Sequence, residues 1–293
     1  MFQVASHSRH FPTHAASARR YEPAPTTAPA VQLPRTLARP AFTDVSRDAL
    51  VAASPDLANV PVEFIRHGLR AKAPQMLAGI AALAPSHLPS AIPKSHLPSS
   101  LSIPLRAPTS SSTPSYPTHA LAIGPAPQKG AQPPPDAPLA VFPIHAVVLA
   151  AHCAALPRLP PPARASGSTA HLPVLPLSLP SPAAFSILHA FMYSHRLDAA
   201  LGALLPLPSA FLRDAASHSA IVQALASGAA LHALSAHLCA AAGNSLSALM
   251  THAAHVKELW QDMVALGLHD PELWDALDLA WEVVLGALNL AAK

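Results

Sequence analysis

The sequence predicts an α+β fold dominated by helices, and three observations lead there. Apolar residues in the C-terminal half recur at helical spacing over several segments punctuated by Gly and Pro. Two apolar runs, at residues 141–144 and 172–177, are too short for helices and have proline-rich flanks, which reads as strands. Proline itself is segregated: 23 of the 35 prolines fall in residues 1–140, and only Pro271 follows Pro208. Closely spaced prolines disfavour helices, so the packed part of the chain is expected toward the C-terminus.

Four regions follow. Residues 1–43 are rich in Pro, Ala and Ser and read as disordered, because such composition supplies little apolar surface to offset ordering entropy. Residues 44–98 hold a short helical island: Val62, Ile65 and Leu69 keep helical period, as do Met76, Leu77, Ile80 and Leu83 after Pro74. Two short helices meeting at Ala73 and Pro74 are expected, docked on the main domain because so small an island buries its own apolar face poorly. Residues 99–139, with TSSSTPSYP and GPAPQKGAQPPPDAPL, read as a Pro/Ser-rich linker. Residues 140–293 form the main domain: a strand, a helix ending near Cys153, a Pro-rich loop, a second strand and then helices. Pro180 and Pro182 announce a helix over about 183–195, Pro206 and Pro208 separate the next two elements, and Gly228, Gly243 and Gly267 mark turns.

The last two helices are the sharpest prediction. Val256, Leu259, Trp260, Met263 and Val264 make an apolar stripe ended by Gly267, and Asp270, Pro271 and Glu272 supply an N-cap, a first-turn proline and a first-turn acid. The second helix is expected to bury Leu277 and Trp281, leaving Asp275, Asp278 and Glu282 for water or a basic partner. Trp274 lies about 100° from Leu273 on the helical wheel. It is therefore expected at the surface, where Trp274 and Asp278 would form a partner-binding face.

Charge and cysteine usage bound the function. The chain carries 18 Lys and Arg against 15 Asp and Glu, its basic residues are scattered without a block, and its pI near 9.1 is weak support for nucleic-acid binding. A DNA-binding alternative would use Arg66, Arg70 and Lys72. Two cysteines, Cys153 and Cys239, exclude a disulfide framework and fit a reducing compartment. Residues 1–20 lack acids and contain Arg9, Arg19 and Arg20, the composition of a transit peptide, but they lack a secretory apolar core. Residues 215–256 contain no charged side chain, yet His, Gln, Asn and Gly interrupt them, which favours buried helices over a membrane span.

No catalytic motif is present: the sequence lacks a phosphate loop, a dinucleotide fingerprint and a nucleophile elbow. The 18 histidines do not follow paired zinc-ligand spacing, including His232, His237, His252 and His255 near Cys239, so neither metal nor cofactor is expected. Cys153 beside His152 is surrounded by Ala, Leu and Val and reads as an inert buried thiol. Asp214 and His218 are spaced to pair on a helix surface. The enzymatic alternative is a hydrolase or transferase whose His, Cys and Asp converge from distant positions.

Two segments, VFPIHAVVLAAHC (141–153) and SLPSPAAFSILHAFMYSHRL (178–197), resemble a degenerate BTB/POZ core in the placing of Phe142, His145, Leu149, Phe185, Leu188, Phe191 and Tyr193. Together with PVEFIRHGLRAKAPQMLAGI (61–80) and HLPSAIPKSHLP (87–98), the chain resembles the clampless proteins of basidiomycete fungi. The resemblance implies a BTB-like interaction domain with a C-terminal helical extension, in which His145 is structural. It further implies a non-enzymatic regulator of sexual development and clamp-cell formation in the mating-type pathway, nuclear or cytoplasmic, with a protein partner such as a transcription regulator. Residues 125–140 depart from the BTB pattern, because their prolines remove strand donors; residues 141–293 are therefore expected to be monomeric.

Overall fold

Strand β3 (His119–Pro125) sits at the centre of a five-stranded sheet and is buried along all but its last residue. The computed structural model describes residues 33–106, 113–127, 136–161 and 168–293. Most of residues 1–43, expected to be disordered, and all of the segment read as a transit peptide therefore lie outside the described residues. Chain contacts divide it into Met1–Pro34 and Arg35–Lys293, and the sheet and helices belong to the second unit.

The sheet order is β1 (Ala91–Pro93), β4 (Pro138–Ile144), β3, β5 (Thr169–Leu179), β2 (Ser100–Pro104). All neighbours are antiparallel except β3 and β5, which run parallel with Ala120 opposite Val174. Helix α3 (Ala146–His152) lies on the connection from β4 to β5. One sheet face packs Ala120, Ala122, Val141, Leu172 and Val174 with Leu83 and Ile103. Side chains alternate across a strand, so Leu121, Ile123, Phe142 and Ile144 point the other way. There the Phe142 ring meets Phe185 edge-on at 5.0 Å.

Residues 99–139 are thus not simply a linker, because β2 and β3 lie within them. The strands escaped the sequence reading for two reasons. The core of β3, Ala-Leu-Ala-Ile, is buried on both faces and carries no alternation. Proline argued against strands elsewhere, yet β5 tolerates Pro173 and Pro176 because it serves β2 through residues 169–173 and β3 through residues 174–179. Each half pairs on one side only, so a proline whose missing N–H would face the unpaired side removes no ladder bond.

In the 44–98 region, α1 (Arg47–Ala53) is capped by Ser46 Oγ, which accepts the Ala49 N–H at 3.2 Å. Helix α2 (Val62–Ala81) is one continuous helix with Pro74 inside it, not two helices meeting there. Pro74 removes the bond that the Arg70 carbonyl would receive. The packing of Ile65, Leu69, Ala73 and Met76 against α3 and α4 (Phe185–Ser194) holds the helix through that defect.

The remaining chain is helical: α5 (Leu197–Leu204), α6 (Ser209–Asp214), α7 (His218–Ala226), α8 (Gly228–Ala241), α9 (Leu246–Leu266) and α10 (Pro271–Ala291). Among the described residues no single helix is long and apolar enough to cross a membrane. Helices α7 and α8 meet that test only as a pair bent by 98°. Gly267 ends α9 in the left-handed conformation at φ 59°, and Asp270 Oδ1 accepts the Leu273 N–H at 3.1 Å to start α10. Helix α10 packs against α5, α7, α8 and α9 and is buried around most of its circumference. It approaches α8 so closely that a Cβ on Gly286 would lie 2.2 Å from Ser235 Oγ.

Candidate interaction surface

The exposed side of α10 is a narrow acidic stripe. Asp275, Asp278 and Glu282 stand at i, i+3 and i+7, which places them along one face of a helix. Packing buries the rest of that helix, so its carboxylates occupy the face left to solvent. Beyond a bend at residues 35–36 the chain crosses this stripe without regular secondary structure, and the Arg39 guanidinium bridges the first two acids. Its Nη2 donates to Asp275 Oδ1 at 2.6 Å, while Nε and Nη2 both donate to Asp278 Oδ2. His218 Nε2, at the start of α7, reaches the other Asp275 oxygen at 2.7 Å. Burial opposes ionisation of Asp275, but the bonds from Arg39 and His218 outweigh it and hold the carboxyl below its ordinary value. Leu37 is 4% exposed, and the Ala38 carbonyl accepts from Trp260 Nε1 at 2.9 Å. Phe42 lies edge-on to His269 at 4.6 Å.

Two sequence expectations are corrected here. Residues 35–43 are not free of the domain, since Leu37 and Arg39 anchor them to its helices. Trp274 is not a surface residue: it is fully buried, and its Nε1 donates to the Leu268 carbonyl at 3.2 Å. A helical wheel assigns one inner face, whereas α10 has neighbours on several sides, so Leu273 and Trp274 are buried together. Trp281 is 2% exposed and Leu277 is also core. Asp278 does lie on the outer stripe, with its side chain 33% exposed. Of the two residues assigned to the partner face, only Asp278 is therefore placed to reach a partner. Arg39 and Leu37 were missed; the only signal for them was a lone arginine complementary to an acidic helix far along the chain.

The chemistry-bearing residues are dispersed into structural roles. His145 Nε2 lies 3.0 Å from the Ser115 carbonyl, which only accepts, so this nitrogen carries the proton and Nδ1 accepts from the Tyr193 hydroxyl at 2.9 Å. Tyr193 in turn accepts the His145 backbone N–H at 3.0 Å. The pair ties α3, α4 and residue 115 together, and burial keeps His145 neutral by lowering its pKa.

His152 and His195 lie with ring centres 5.0 Å apart. Burial first, then the charges of His195, Arg66 and Arg70, pushes His152 down to about 3; burial and the charges of Arg70 and Arg66 push His195 down to about 4, with Asp270 opposing. Cys153 is buried, its thiol pushed up to about 12 by burial, so it is no nucleophile near neutral pH. The Asp214–His218 pair does not form, because His218 turns to Asp275. Arg66 spends its Nε–H on the Ala151 carbonyl at 2.8 Å. Lys72 stands about 200° from Arg70 around α2, so Arg66, Arg70 and Lys72 make no continuous basic face.

Asp262, which the sequence reading passed over, is a buried acid on α9. Its Oδ1 accepts the Ser181 N–H at 2.8 Å, and Ser181 Oγ donates to Glu258 at 3.0 Å, fastening the entry to α4 onto α9. Burial pushes the Asp262 carboxyl up to about 7 against the Ser181 bond, with the Glu258 charge adding to the rise. Among the described residues no three His, Cys, Asp or Glu side chains are grouped to hold a metal ion.

Fold and surface thus define an α+β chain with a charged, grooved helical face. The profile of the Clampless protein 1 N-terminal domain matches residues 40–180, and that of its C-terminal domain matches residues 198–293. The chain belongs to the clampless protein family. Clampless protein 1 from two strains of Cryptococcus neoformans var. neoformans serotype D is 29% identical over 133 residues, covering 45% of this chain. The match spans 24% of the length of those curated relatives. No solved structure matches.

Proposed function

We propose that this chain is a non-enzymatic regulator of fungal sexual development that serves clamp-cell formation by binding other proteins in the nucleus, the cytoplasm or both. Family membership carries the reading. The surface supports it, because the accessible chemistry is paired charge and groove while His145, His152 and Cys153 serve the interior. In this reading the sheet and the helices beside it form a degenerate BTB/POZ-like core. Its support is the order of hairpin β3–β4, helix α3, strand β5 returning parallel to β3, and then α4, with Phe185, Leu188, Phe191 and Tyr193 all buried. The chain acts as a monomer that captures a protein partner, such as a transcription regulator, without cofactor or metal.

Deletion of the gene in mating-competent cells is expected to abolish clamp formation, and affinity capture from mating-induced cells to recover a specific partner. Normal clamps in the deletion strain would overturn the developmental role. Normal clamps in a strain whose protein captures no partner would remove both halves of the reading.

A further inference from the structure

The segment 35–43, which has no regular secondary structure, lies on the helical domain as a bound peptide would. Among the described residues, no backbone–backbone hydrogen bond holds residues 35–45, and the chain first enters a helix at α1. What fastens the segment is side-chain chemistry: Leu37 buried against the domain, Arg39 across two carboxylates, and Phe42, itself 59% exposed, edge-on to His269. The Ala38 carbonyl is read by the Trp260 indole. A segment held in this way opens more readily than helices α9 and α10 beneath it.

Among the described residues the groove is also incompletely filled. Beside Leu37 a cavity of about 420 Å³ remains, walled by Leu225, Leu231, Trp281 and Glu282. A second space of about 400 Å³ adjoins it between Arg35, His232, Ser235, Glu282 and Lys293. Glu282 borders both and continues the acidic stripe beyond the reach of Arg39.

We propose that the groove over α7, α8, α9 and α10 is a docking site for a peptide segment of another protein, bearing a leucine-sized apolar residue and an arginine two positions after it, and that residues 35–43 occupy this site in cis until displaced. Arginine is specified over lysine because one planar fork spans Asp275 and Asp278, two carboxylates a helical turn apart, which a point-like ammonium does not match. The apolar anchor is specified by the site of Leu37, and the unfilled space beside it admits a longer or bulkier ligand than the resident segment. A tethered competitor acts at an effective concentration on the order of millimolar, so it weakens a free peptide's apparent affinity without closing the site. The proposal rests on the protein-binding reading above and names the chemistry of the partner.

The probe is a fluorescently labelled peptide of residues 35–43, titrated by anisotropy into three full-length proteins. The first is the unaltered chain, the second carries Leu37→Ala and Arg39→Ala, and the third adds Asp275→Asn and Asp278→Asn to those. Loosening the resident segment is expected to tighten peptide binding at least about tenfold over the unaltered chain, and removing the carboxylates to abolish the gain. An Arg39→Ala version of the peptide is expected not to bind.

Equal binding to all three proteins overturns the proposal. So does a stable dimer of the unaltered chain in sedimentation that dissociates on adding peptide, because the groove would then serve a second copy. If the Leu37→Ala and Arg39→Ala protein is unfolded by circular dichroism, Arg39→Glu expels the segment by like charge and must show the same gain; a folded Arg39→Glu protein without it overturns the proposal. Partner capture from mating-induced cells by the unaltered chain tests the broader reading separately and survives failure of the peptide assay.

Discussion

Replacing Trp274 by alanine tests how α10 is built. The indole is fully buried and donates to the Leu268 carbonyl, at the turn where α9 gives way to α10. A tryptophan of this kind buries roughly 150–250 Å². At about 25 cal/mol per Å² that amounts to about 4–6 kcal/mol. Alanine recovers a small part of this, the surroundings collapse incompletely, and measured Trp→Ala losses in cores are about 3–5 kcal/mol. Trp274→Ala is therefore expected to destabilise the protein by about 3–5 kcal/mol, much of the total stability of an ordinary domain. Trp274→Phe keeps most of the ring but loses the N–H donor, and about 1–2 kcal/mol is expected. Trp260→Ala supplies the contrast and is expected to cost less than Trp274→Ala, because Trp260 is half-buried and its indole N–H donates to the Ala38 carbonyl of the 35–43 segment. Urea unfolding followed by far-ultraviolet circular dichroism measures all three variants, with an unchanged dependence on denaturant as the check on two-state behaviour. A Trp274→Ala loss below about 1 kcal/mol, with that dependence preserved, would refute the burial argument and return Trp274 to the surface.

Asp262 makes stability depend on pH in a definite direction. Its folded pKa is raised to about 7, so its favourable contribution is complete below the ordinary carboxylate value and is lost as pH rises through about 7. Asp262→Asn keeps an acceptor for the Ser181 N–H and is expected to be more stable than the unaltered chain at pH 8, with the difference vanishing near pH 4; equal pH profiles in thermal unfolding would count against this. Cys153, buried with its thiol raised to about 12, is expected to resist thiol reagents in the folded protein and to react only after unfolding, as peptide mapping by mass spectrometry will show. Gly286→Leu is expected to force α8 and α10 apart, because even a Cβ would meet Ser235 Oγ at 2.2 Å. A melting temperature unchanged from the unaltered chain would mean that the two helices are not packed so closely.

Local chemistry fixed much of this protein before any packing was known. Gly267, Asp270 and Pro271 carry their own instructions for ending one helix and starting the next, and the strand, helix and strand between residues 138 and 179 were legible as short apolar runs bounded by proline. The structure decided what depends on neighbours. Strand β3 is central because β4 and β5 flank it, and a strand with partners on both edges and cover on both faces loses the alternation by which a sequence announces it. Pro74 sits inside a helix because docking on α3 and α4 outweighs the missing bond. Trp274 points inward because α10 has neighbours on several sides, where a helical wheel grants only one. The site divides in the same way. The acidic stripe was readable from Asp275, Asp278 and Glu282 on their own helix, whereas its occupant was not. Arg39 lies 236 residues from Asp275, and no spacing rule reaches so far: the pairing of two charges that distant in sequence exists only once the intervening chain has folded and brought them to 2.6 Å.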